Sequence, residues 1–255
     1  MKKFFLWSIA VVALCGFAAL FFWSRQKNEP PKAQTAASEP AAKPAVRYPV
    51  ERDQSGPPLP ALAESDDALA AGLIELFGQK PPEFIYLKDI IRRVVATVDN
   101  LPRDHAAPQL LPVKTLAGVP ATEKIEGNLV LSPRNAARYR MYVRAAELVP
   151  TDRLVALYAR FYPLFQEQYE NLGYPGKHFN DRVVEVIDHL LATPDAPEPL
   201  RVVQPRVLYE FADPKLESLS AGQKILLRVG KANRDKLKSK LQQLREAVTH
   251  LDTVE

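Results

Sequence analysis

Between Thr151 and Pro194 the apolar residues recur at helical spacing through two successive segments, so any fold of this chain must bury two neighbouring helix faces. In the first segment Leu154, Leu157, Tyr158, Phe161 and Phe165 share one face, and the Thr151 hydroxyl is placed to cap its start. Pro163 lacks an N–H and its ring crowds the preceding turn, so a kink or break is expected there, with a further piece running to about Leu172 and stopping at Gly173. After the turn GYPGK a second helix begins at Phe179-Asn180-Asp181. Asn180 is read as its cap, Phe179 as stapled on Val184, and Asp181 as a first-turn acid. It ends before Pro194.

The other constraint lies at the N-terminus. Phe4 to Trp23 is a run of twenty residues whose only polar side chain is Ser8. As a helix it spans about 30 Å, the thickness of a bilayer core. A cleavable signal peptide has an apolar region of about 7–15 residues followed by a small-x-small site. Here Leu20-Phe21-Phe22-Trp23 follows instead, and Leu14 is too large for a lipid-attachment motif at Cys15. We therefore read residues 1–23 as an uncleaved transmembrane anchor. The very short N-terminal tail orients the chain as a single-pass protein of a bacterial inner membrane with its soluble domain in the periplasm. Residues 24–60, rich in Pro, Ala, Lys, Glu and Gln, cannot offset the entropy of folding and form a tether. Residues 61–255 are enough for one domain with a real core.

Within that domain, SDDALAAGLIELFG reads as a short helix capped by Ser65, with Leu69, Leu73, Ile74 and Phe77 on one stripe and Gly78 as its stop. A second helix is expected from about Glu83 to Val98. PATEKIEGNLVLSP predicts a small hairpin turning around Gly127-Asn128, and Ser132-Pro133 launches the next helix. RVVQPRVLYEF reads as extended chain or an edge strand because of Pro205, and Ser220 with Gln223 makes a capping box for GQKILLRV. In the last helix, from about Asn233 to Leu251, Leu237, Leu241, Leu244, Val248 and Leu251 form a narrow seam suited to packing on the domain itself. The fold class is mainly α with a minor β-hairpin.

Five segments in order, RRVVATVDNLPR, NAARYRMYV, YPLFQEQYENLGYP, FNDRVVEVIDHLLATP and YEFADPKLESLSAGQKILLRVG, resemble the domain of unknown function 3014 family. The resemblance implies a single-pass membrane protein of Gram-negative bacteria and implies no activity, so it assigns no site residue.

The single cysteine, Cys15, lies in the apolar run and excludes disulfides, thiolate zinc sites and a cysteine nucleophile in the domain of a single chain. No phosphate loop, GxSxG elbow or dinucleotide fingerprint occurs, and neither cofactor nor metal is expected. Asp181, Glu185 and Asp188 form a carboxylate stripe able to serve a hard cation or acid–base chemistry, but it lies opposite the apolar arc and so also fits a solvated face. His178 and His189 flank the same helix without metalloprotease spacing. Arg92, Arg93, Asp99, Arg138 and Asp181 are candidates for a partly buried ion network. Tyr162, Tyr169 and Tyr174 with Phe161 and Phe165 suit either a ligand groove or the core.

The net charge of +4 is unevenly spread, since residues 224–245 carry eight of the 34 bases and one of the 30 acids. Arg234, Lys238 and Arg245 fall on one flank of the last helix and Lys236 and Lys240 on the other. With both flanks wet, these five are the candidate contacts to an anionic lipid surface. The reading as a whole is an envelope adaptor or scaffold for protein or cell-wall partners, with nucleic acid out of reach. The competing class is a hydrolase of envelope polymer worked by Asp181, Asp188 or His189.

Overall fold

The computed structural model describes residues 45–51 and 57–251. The expected anchor at 1–23 and most of the tether lie outside the described residues. Among those described, no helix is long and apolar enough to cross a membrane.

The first helix, α1 (Ser65–Phe77), ends at Gly78 in the left-handed conformation, as read. Ser65 is not its side-chain cap. Its hydroxyl donates to the Leu62 carbonyl of a preceding 3-10 turn, while Ile74 points to solvent. α2 covers only Ile90–Asn100, a correction to the helix expected from Glu83. Residues 84–86 instead run beside 112–114, bridged at Ile85 and Val113. The reason is local, because Asp89 sits at φ 54 and cannot continue a helix backwards. The Asp66 carboxylate of α1 then takes the amide N–H groups of Asp89 and Ile90 at 2.7 and 3.1 Å, capping α2 from another element.

Strands β1 (Thr122–Ile125) and β2 (Asn128–Leu131) pair antiparallel with Thr122 opposite Leu131. Their two-residue turn is Glu126-Gly127, one residue earlier than expected. Both residues have positive φ, as the tight hairpin turn of this length requires. Ser132 caps α3 (Pro133–Arg138) as read, and the helix then divides at Tyr139 before α4 (Arg140–Leu148).

α5 runs unbroken from Thr151 to Asn171 through Pro163, so the break expected there does not occur. Proline removes one helical hydrogen bond, whereas Phe161, Leu164 and Phe165 around it are all buried and hold both sides of the helix in place. Thr151 is the first helical residue rather than a cap, and its hydroxyl donates to Gln243. α6 (Phe179–Leu191) is two residues longer at its start, with His178 at the cap position and Asn180 inside the helix. Gln166 of α5 supplies the missing cap by accepting the Phe179 N–H at 2.8 Å.

β3 (Val202–Val203) and β4 (Glu210–Phe211) form a second small hairpin, tied to the first by a bridge between Val130 and Arg201. α7 (Pro214–Glu217) is capped by Asp213, and α8 (Ala221–Arg228) carries the Ser220/Gln223 capping box. α9 (Lys231–Thr249) closes the domain.

α6 is the shared wall of the core. With α1, α2 and α5 it encloses Leu69, Ile91, Val95, Phe161, Phe165 and Phe179. Its other side packs Val184 and Ile187 on Val248 of α9, and Val186 and Leu190 on Leu226 of α8. Each such side chain, fully buried, contributes about 1.5–3 kcal/mol. A satellite cluster around Leu200, Val202, Phe211 and Leu227 fastens the hairpins to α8. Within the stretch read as tether, residues 45–51 lie against the domain. Tyr48 packs onto the α6–α9 cluster and is the contact responsible.

Candidate functional site

The carboxylate stripe of α6 is fully engaged. Asp188 pairs with Arg245, Glu185 pairs with Arg182 at 2.9 Å, and Asp181 accepts the backbone N–H groups of Arg47 and Tyr48. The Asp188 carboxylate raises the Arg245 guanidinium above its ordinary value. His178 and His189 stand at opposite ends of α6, about 16 Å apart along the axis at helical rise. His189 Nε2 shares a hydrogen with the Ser220 hydroxyl at 2.8 Å, and its carbonyl accepts from Gln223, so it serves the start of α8. Asp181, Asp188 and His189 therefore do not converge.

The expected ion network does not form: Asp181 is taken by the Arg47 and Tyr48 amides, Arg92 pairs at the surface with Asp89 at 3.0 Å, and the other three members lie apart. Arg93 binds the carbonyls of Lys88, Gln109 and Leu111 and lies over the Tyr86 ring, holding the 84–86 and 109–111 segments against α2. Arg138 does the same for the carbonyls of Ala117 and Val119. Asp99 is the buried member, 3% exposed, and accepts from Arg103, Arg182 and the Tyr174 hydroxyl. Burial works against the Arg182 charge, but Glu185 and Asp99 outweigh it and hold the guanidinium above its ordinary value. Tyr169 stacks on Tyr174 beside this cluster, and burial pushes its phenol up to about 12. Tyr169 and Phe161 belong to the core rather than to a ligand groove, while Phe165, also in the core, lines an apolar cleft.

The basic run faces inward to an extent its sequence does not convey. Arg234 is completely buried and reaches Asp195, Lys238 donates to the Thr193 carbonyl at 2.6 Å, and Lys240 donates to the Val149 carbonyl and the Thr151 hydroxyl. Lys236 pairs with Glu147 and Arg245 with Asp188, both at the surface. The expectation of two wet flanks is thus corrected for Arg234, while Lys238 and Lys240 are half-buried with their ammonium groups on backbone carbonyls. Burial lowers the Lys240 ammonium below its ordinary value. The remaining bases of the run, Lys224, Arg228 and Lys231, meet Glu217, the Tyr209 carbonyl and Asp235.

Two features stand apart from this internal pairing. One is a cleft of about 240 Å³ between α1, α2, α5, α6 and α9, lined by Leu73, Val94, Leu154, Val183, Leu244 and other apolar side chains. It offers no acid, base or nucleophile and can receive only an apolar group. The other is a clamp at the start of α6. Asn180, wholly buried, donates to the Tyr48 carbonyl at 3.1 Å and the Val248 carbonyl at 2.9 Å and accepts from the Tyr158 hydroxyl at 3.2 Å. Next to it Asp181 takes the Arg47 and Tyr48 amides at 3.2 and 2.8 Å. Sequence reasoning missed this pairing because Asn180 reads as a cap. A signal was present, since Tyr48 is the only aromatic residue between Trp23 and Phe77.

Among the described residues no group of His, Cys, Asp or Glu is arranged to hold a metal ion. Neither a curated protein nor a solved structure matches the chain. A family model does, from Ile90 at the start of α2 to Arg245 in the penultimate turn of α9, and its description is a protein of unknown function. That match spans more than half of the sequence and takes in the α5–α6–α9 core, so the chain belongs to the domain of unknown function 3014 family (DUF3014).

Proposed function

We propose that this protein is an envelope adaptor, held by the Phe4–Trp23 anchor in a bacterial inner membrane, whose periplasmic domain binds protein or cell-wall partners and performs no chemistry. The observation that carries this reading is the fate of the acid–base candidates. Asp181, Asp188 and His189 are each committed to a different partner, Tyr48, Arg245 and Ser220, and none lines the 240 Å³ cleft. A hydrolase needs such groups free and within reach of one reacting atom. The Asn180/Asp181 clamp, by contrast, reads backbone groups with side chains already fixed in place, which is a property of recognition sites.

Two experiments test this. A reporter enzyme active only outside the cytoplasm, fused after Glu255, is active if the domain is periplasmic and silent if the orientation is reversed. In cells lacking the protein, a copy carrying Asp188→Asn and His189→Gln restores whatever the deletion removes. A folded, abundant copy that fails to do so returns the enzyme reading.

A further inference from the structure

The segment Val46-Arg47-Tyr48-Pro49 lies on the joint between α6 and α9 without forming helix or strand. Among the described residues its directional contacts there run through its backbone. Two consecutive amides, Arg47 and Tyr48, converge on the two oxygens of the Asp181 carboxylate, and the Tyr48 carbonyl accepts from the Asn180 amide. The charge on Asp181 strengthens its two bonds relative to neutral ones. Among the described residues the side chain read is the Tyr48 ring, packed on the cluster of Val155, Val184, Ile187 and Val248. Pro49 restricts Tyr48 to extended backbone and so lowers the entropy lost on docking.

The receiving groups are set before the segment arrives. Asn180 is oriented by Val248 and by Tyr158, neither of which belongs to the docked segment 45–51, the strap. Its second amide hydrogen is thereby aimed outward. Asp181 belongs to the rigid first turn of α6, where the helix dipole favours its charge. A site of this kind selects any chain segment that offers two successive N–H groups, a following carbonyl and one aromatic ring. It places no demand on the other side chains.

We infer that the Asn180/Asp181 clamp is a peptide-recognition site which the protein fills with its own tether. Its external partner is a protein segment of the same chemistry: a non-proline residue, then an aromatic residue, in irregular chain. This rests on the adaptor reading and names the class of partner. In cis the strap competes at an effective concentration in the millimolar range, set by its short connection to the domain. A partner that displaces it also frees the tether from residue 45 onward, so that capture lengthens the reach of the domain from its anchor.

The test uses the full chain in lipid nanodiscs. In one version residues 45–51 are replaced by a Gly/Ser sequence, which empties the clamp without touching the domain. The probe is a labelled synthetic peptide, AVRYPVE. It binds the strap-replaced chain about tenfold or more tightly than the wild-type chain, whose site is occupied. Replacing the peptide's tyrosine by alanine, or Asp181→Asn in the protein, weakens binding by a further tenfold. Far-UV circular dichroism and urea midpoints of both protein variants establish that they are folded. If the peptide ignores a folded strap-replaced chain, or binds it equally well without its tyrosine, the site does not exist. Peptide binding is scored on purified protein and complementation in cells, so loss of this site leaves the adaptor reading to be judged by its own result.

Discussion

The Arg234 guanidinium and the Asp195 carboxylate form a lopsided ion pair: the arginine side chain is 0% exposed, the aspartate 78%, and they meet through one contact at 3.3 Å. Nε and Nη1 of Arg234 have no protein partner among the described residues. The burial of this charge is therefore poorly compensated, since one water-screened carboxylate returns little of the desolvation cost. We expect Arg234→Met, which keeps the stem and removes the charge, to leave stability within about 1 kcal/mol of wild type or to raise it. Arg234→Ala removes the stem as well and should cost about 2–5 kcal/mol, as for other large buried truncations. Urea midpoints check both. A loss for Arg234→Met as large as that for Arg234→Ala would show that the charge, not the packing, holds α9.

That pair also shows where sequence reading stops. The positions of the apolar residues placed the α5–α6 pair and the α9 seam, because periodicity reports directly which face is buried, and the turn residues around Gly127 placed the hairpin. The Ser220/Gln223 capping box was legible for the same reason, its partners being three residues apart. Long-range polar contacts leave no such imprint. Arg234 and Lys238 look like a solvated flank until Asp195 and the Thr193 carbonyl arrive from a distant part of the chain. Asn180 and Thr151 resemble caps in sequence, yet one binds Tyr48 and Val248 and the other Gln243 and Lys240. The start of α2 failed in the same way, since its cap, Asp66, belongs to another helix.

The strap makes a prediction about domain boundaries. Residues 61–255 contain all four core clusters apart from Leu59 and Tyr48 at their margins and should fold on their own. A fragment beginning at Pro44 adds the Tyr48 ring and three hydrogen bonds to the clamp, and we expect it to be more stable by about 1–3 kcal/mol. Equal denaturation midpoints for the two fragments would mean that the strap is not bound in solution.

Core truncations should separate sharply by position. Phe161, 2% exposed, and Ile187, 6% exposed, lie in clusters on opposite sides of α6, and changing either to alanine should cost about 2–5 kcal/mol. Ile74 occupies the same kind of amphipathic pattern in α1 but is 47% exposed, so Ile74→Ala should fall within about 0.5 kcal/mol of wild type. Similar losses at Ile74 and Phe161 would place α1 in a different rotation from the one described.

Asn180 is the polar residue whose loss should be felt most. Asn180→Ala leaves the Tyr158 hydroxyl and the carbonyls of Tyr48 and Val248 without their partner, and buried groups orphaned in this way cost about 1–3 kcal/mol each. The strap-replaced chain retains two of the three contacts. Asn180→Ala should therefore destabilise it too, and an effect confined to the chain with an intact strap would mean that Val248 and Tyr158 find other partners.

Stability should also fall at alkaline pH, with a sign set by four tyrosines. Burial raises the phenols of Tyr139, Tyr158, Tyr162 and Tyr169 above their ordinary value near 10, that of Tyr169 to about 12. Below about pH 10 both folded and unfolded chains keep these protons, and the groups make no difference to the slope. Above it the unfolded chain releases protons that the folded chain retains, so the unfolded state binds fewer and stability declines as pH rises through the folded values. Lys240 acts in the opposite sense, because its folded value lies below 10.5 and raising the pH through that window removes a charge the fold disfavours. It is one group against the four tyrosines, and exposed Lys231, raised by its hydrogen bond to Asp235, acts in the same sense as they do. The denaturation midpoint should therefore hold steady or rise slightly up to about pH 10 and then fall toward pH 12. Lys240→Met should abolish the slight rise, and Tyr158→Phe should make the fall shallower. A midpoint that stays level through that range, with tyrosinate absorbance appearing near pH 10 in the folded protein, would mean that these phenols are open to solvent.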